Sequence, residues 1–77
     1  MGHDRPTAWE AAGITDHTVL ACEQMAVCAV KEGSEEYWRK CRDFLESVKE
    51  RDYSLLTVKQ RNWLFNIQTD LMKEGML

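Results

Sequence analysis

The chain is short of nearly everything that catalysis or cofactor binding asks for. It has two histidines: His3 lies in a polar N-terminal tail over residues 1–6, and His17 stands at a helix start beside Asp16, with no nucleophile paired to it. There is no HExxH, no glycine-rich phosphate loop, and no pair of carboxylates on an apolar face. The four glycines fall at positions 2, 13, 33 and 75, where a tail and helix ends account for them. The three cysteines include no CxxC, and no His/Cys cluster offers tetrahedral zinc ligands. Cys22 and Cys28 lie six residues apart, so about 120° of helical rotation separates them and rules out a bridge within one helix. With Cys41 they read as three buried, reduced thiols. These absences predict a protein that is not an enzyme, with no cofactor and no metal. No signal peptide and no apolar run long enough to cross a bilayer is present, which predicts a cytoplasmic protein with no membrane attachment.

What the chain does have is helical patterning. The 77 residues make one domain, too short to build a large core without help from a disulfide, a metal or a second copy. The stretch TVLACEQMAVCAV, Thr18 to Val30, has only Glu23 and Gln24 as strongly polar interior residues. A helix apolar on nearly every side is one that neighbours cover on more than one face. Thr15 or Asp16 caps its start, and Lys31-Glu32-Gly33 ends it, with glycine free to turn left-handed. Ser34 then caps a second helix, predicted over Glu35 to Arg51. Its apolar face holds Tyr37, Trp38, Cys41, Phe44, Leu45 and Val48. Its opposite face is a solvated mixture in which Arg39–Asp43 and Arg42–Glu46 can pair. Thr57 and Gln60 form a capping box for a third helix, Val58 to Lys73, that packs through Leu64, Ile67 and Leu71. Before these three, Thr7 caps a single turn, AWEAA, that stops at Gly13. The predicted fold is therefore all-α: a small three-helix bundle, successive helices antiparallel, with an additional short N-terminal helix or turn.

Two features exceed what such a core needs. Trp9, on the N-terminal turn, is either a lid over one end of the bundle or a partner-facing anchor. A surplus apolar row, Val58, Phe65, Met72 and Met76, lies about 100° from the main seam of the third helix. It covers the Trp9 turn, joins a second copy in a homodimer, or meets another protein.

The net charge of −3 is unevenly spread. Residues 1–36 hold seven acids against two bases, and residues 37–77 hold eight bases against six acids. That is a poor nucleic-acid footprint, since such domains carry a clearly basic face. The one tight helix–turn–helix candidate would present Glu35 and Glu36 to phosphate. Direct DNA or RNA binding, through Arg39, Lys40, Lys59 and Arg61, is the lesser alternative.

The run Leu55 to Ile67, LLTVKQRNWLFNI, resembles an L-T-x-K-Q-x-x-W-L-x-x-I pattern found in small helical proteins and C-terminal segments of bacteriophages and other mobile elements. The resemblance covers about a sixth of the chain and carries over no functional residues. It implies a phage origin, which would place the protein in the host cell cytoplasm. Small acidic phage proteins without an active site often bind and block a host machine, and anti-CRISPR proteins are one such class by analogy. The expected function is thus a non-catalytic protein-binding module, an inhibitor of a host defence or nucleic-acid-processing complex. It would set the acids Glu32, Glu35 and Glu36 against a basic groove, with Trp9, Phe65 and Met72 as apolar anchors. A self-associating structural or regulatory role remains a third reading.

Overall fold

The computed structural model describes residues 5–28 and 33–77. The expected end of the central helix, and Glu32 with it, lies outside the described residues. The fold is all-α, with four helices among the described residues: α1 (Ala8–Ala12), α2 (Asp16–Cys28), α3 (Glu35–Ser47) and α4 (Val58–Lys73). A 3-10 turn, Tyr53–Leu55, joins the last two.

Each start has a local cause. The Thr7 hydroxyl accepts the Glu10 N–H at 3.2 Å while the Glu10 carboxylate accepts the Thr7 N–H at 2.9 Å, so even a five-residue helix has satisfied donors. Thr57 and Gln60 repeat the device on α4, at 3.1 and 2.9 Å. Ahead of α2, the Thr18 hydroxyl reaches back to the Thr15 N–H at 3.2 Å. Ser34 departs from expectation: its side chain makes no cap bond, and α3 starts with Glu35 and Glu36 beside the positive end of the helix dipole.

The α3 helix also stops at Ser47, short of the Arg51 expected from its pattern. The reason is tertiary. The Arg51 carbonyl accepts the Ala8 N–H at 2.7 Å, and the Tyr53 N–H is donated to the Pro6 carbonyl at 3.1 Å. These bonds make an isolated antiparallel bridge between Thr7 and Asp52 that straps the N-terminal segment to the chain after α3. A helical Arg51 would turn these groups inward and lose the strap.

Ion pairs Glu23–Arg42 (3.5 Å) and Asp16–Lys49 (3.8 Å) stand seven residues apart along both segments, Lys49 two residues past the end of α3, so α2 and α3 run antiparallel. The α4 helix does not continue the alternation. Near its start Trp63 stacks on Phe44 of α3, with ring centroids 4.2 Å apart. Just beyond its end Gly75 and Met76 share a cleft with Leu20 and Ala21 of α2. Phe44 and the Leu20–Ala21 pair both lie between the two ion pairs, at one level of the hairpin. The last helix therefore crosses from α3 to α2 instead of running along either.

The core beneath this crossing contains Cys22, Ala26, Trp38, Cys41, Leu45, Leu64, Ile67 and Leu71, all buried. The central helix is less enclosed than its composition predicts. Cys22 is fully buried, but Val27 is 75% exposed, and Leu20 and Cys28 face solvent with it. A single antiparallel partner and one crossing helix leave a side of α2 open. Cys28 is accordingly not a buried thiol, in contrast to Cys22 and Cys41.

Candidate protein-binding surface

The candidate contact residues separate into three places. Trp9 is inside: 8% exposed, its indole N–H donated to the Leu45 carbonyl at 2.7 Å, with the Lys49 ammonium 4.8 Å from the ring centroid. It is the lid over the end of the α2–α3 pair, which removes it from the exposed anchors. An indole this enclosed cannot meet a partner without unpacking α1.

Glu35 and Glu36 stand at the start of α3. Glu35 is taken up in an ion pair with Arg39, one turn on, in place of the Arg39–Asp43 pair expected from spacing. Arg42 likewise pairs with Asp43 at 3.0 Å and Glu23, leaving Glu46 without it. Of the two described acids proposed for contact, Glu36 is exposed and has no ion pair among the described residues.

The third place is the outer side of α4. Val58, Phe65 and Met72 are 69%, 45% and 58% exposed, one above another at seven-residue spacing. The row does not cover α1, as one reading of the sequence would have it. That task falls to Gln68, whose side-chain amide donates to the Ala12 carbonyl at 2.7 Å. Met76 leaves the row as well. Gly75 takes a left-handed φ of 75°, the Met76 N–H returns to the Leu71 carbonyl at 2.9 Å, and the Met76 side chain folds back against the core. Helical phase extrapolated past a glycine cap fails because the cap reverses the chain.

Beside the apolar row, one residue on, run Lys59, Asn66 and Lys73, all exposed. Among the described residues no carboxylate comes within ion-pairing distance of either lysine. The acid within α4, Asp70, instead accepts the Tyr37 hydroxyl at 3.2 Å, on the side toward α3. Sequence reasoning named Val58 in the row but did not include the two lysines in the contact set; their common phase with Asn66 was the available signal. It also missed the outer side of α2, where Leu20, Val27 and Cys28 line a shallow cleft with Glu23 and Gln24. The polar Gln24, between Leu20 and Val27, marked that side as wet.

The basic residues of the nucleic-acid alternative are dispersed. Arg39 is held by Glu35, and Arg61 donates to the Ser54 carbonyl at 3.1 Å with its guanidinium over the Tyr53 ring. Lys40 and Lys59 are exposed on different helices. No group of three or more potential metal ligands is found among the described residues. Burial pushes the Cys22 thiol up to about 12, with the neighbouring Cys41 and Glu23 adding to it. Desolvation also raises Cys41, so neither is a thiolate at neutral pH. No helix among the described residues is long and apolar enough to cross a membrane. No known protein family, curated protein or solved structure matches the chain.

Proposed function

We propose that the chain is a non-catalytic protein-binding module whose contact face is the outer side of α4. The observation that carries this reading is the exposed row Val58, Phe65 and Met72 on a helix whose inner side is fully packed. A domain this small has few apolar side chains to spare from its core, and three left in line along one rigid helix suit a contact surface. The Leu55–Ile67 pattern adds the finer proposal of a phage-derived inhibitor that occupies a surface on a host defence or nucleic-acid-processing complex.

The test is retention from host lysate at low salt, run in parallel with the native chain and with Phe65→Glu/Met72→Glu as bait. A protein held by the native chain and released by the double variant supports the reading. Equal retention by both, or retention of nothing by either, counts against it. Gel shifts with duplex and single-stranded oligonucleotides test the rival. Tight binding that Lys40→Glu and Lys59→Glu abolish would make the protein a nucleic-acid-binding accessory.

A further inference from the structure

The charge beside the α4 row has the opposite sign to that of the chain. In a protein of net charge −3, the outer side of its last helix carries Lys59 and Lys73, which pair with no carboxylate among the described residues, while the acid within the helix, Asp70, is held by Tyr37. Val58 and Met72 are fourteen residues apart, about 21 Å along the axis, and the two lysines flank nearly the same length. Two parallel rows at seven-residue spacing, one apolar and one basic, make the seam and flank that a second helix meets when it packs at a small crossing angle. Resting on the reading of α4 as a contact face, we infer that this face takes an acidic amphipathic helix of another protein. Its apolar side chains would lie against Val58, Phe65 and Met72, and its carboxylates against Lys59 and Lys73.

Two other occupants fit less well. A second copy would have to offer the outer side of α2, whose acids Asp16 and Glu23 are already engaged by Lys49 and Arg42. An anionic membrane takes a wide apolar face with bases along it. Here the apolar row is one residue wide, and Asn62 and Thr69 separate it from the lysines.

The inference is tested by selecting from a displayed library of heptad-patterned helices whose flanking positions vary among Glu, Gln and Lys. Selection runs on the native chain, with Phe65→Glu/Met72→Glu as the counter-target. These side chains already lie in water, and circular dichroism verifies that the fold persists. Expected are helices with flanking Glu that lose about tenfold in affinity on Lys59→Glu/Lys73→Glu, and weaken as salt rises. Face-dependent winners rich in Gln or Lys would overturn the acidic partner and leave the contact face standing. No face-dependent winners at all would overturn both. Sedimentation showing self-association that Phe65→Glu/Met72→Glu abolishes would replace the partner with a second copy. Binding to phosphatidylserine-containing vesicles that exceeds binding to the selected helices would replace it with a membrane.

Discussion

The two sides of α4 are built from the same kinds of residue and have opposite fates. Leu64, Ile67 and Leu71 are wholly buried, while Val58, Phe65 and Met72, one strip around the same helix, stand in water. Hydrophobicity alone does not distinguish them. What does is that one α2–α3 hairpin has room for one seam, so a helix that crosses it can bury only one side. The inner strip is committed to stability, and the outer strip is left in solvent.

The sharpest way to break that contrast is to truncate one residue from each side. Ile67→Ala should cost about 2–5 kcal/mol, a large share of what a domain of this size has, and a thermal melt would read it directly. Phe65→Ala should shift the same melt by no more than about 0.5 kcal/mol, while weakening capture of a partner. Comparable losses of stability from the two would mean that the outer strip is internal after all. Next in size is Trp9→Phe, which keeps the aromatic lid but leaves the Leu45 carbonyl without its donor. A loss of about 1–3 kcal/mol in denaturant titration is expected. Thr57→Ala removes half of the α4 capping box and should cost about 1 kcal/mol in the same denaturant titration.

The thiols extend the comparison to α2, which buries one of its cysteines and exposes the other. A thiol reagent at neutral pH should label Cys28 at once, and Cys22 and Cys41 only as the protein unfolds, which mass spectrometry with time would resolve. The folded state raises the Cys22 value from 9.0 to about 12, so the native protein holds that proton more tightly than the unfolded chain. The stability this represents is fully present below about pH 9 and declines as pH rises toward 12. Cys22→Ala should flatten that alkaline limb, whereas Cys28→Ala should leave it unchanged.

Much of the fold was legible because it depends on local chemistry. The Thr57–Gln60 pattern is a reciprocal pair of short-range hydrogen bonds, and α4 runs from Val58 to Lys73 as its sequence predicts. Val48, Leu45 and Cys41 keep their helical phase and are buried. The misreadings share one cause, the use of a residue by something distant in the chain. The C-terminal end of α3 is set by the N-terminal strap at Asp52. Val27 is exposed because, among the described residues, nothing packs over it: it stands at the rim of a cleft shared with Glu35, Arg39 and Arg42 of α3. Glu35 and Arg42 chose partners other than those suggested by their spacing, since several four-residue or cross-helix pairs were open to each.

By itself the sequence determined the helical class, the capped boundaries of α1 and α4, and the inward seam of each amphipathic helix. Those follow from hydrogen bonds and periodicities that act within a few residues. Only the tertiary structure decided that α4 crosses the hairpin, that Trp9 is sealed inside, and that Phe65 and Met72 remain outside. Burial is a property of what arrives from elsewhere in the chain, and a row of apolar side chains reads the same whether or not anything comes to cover it.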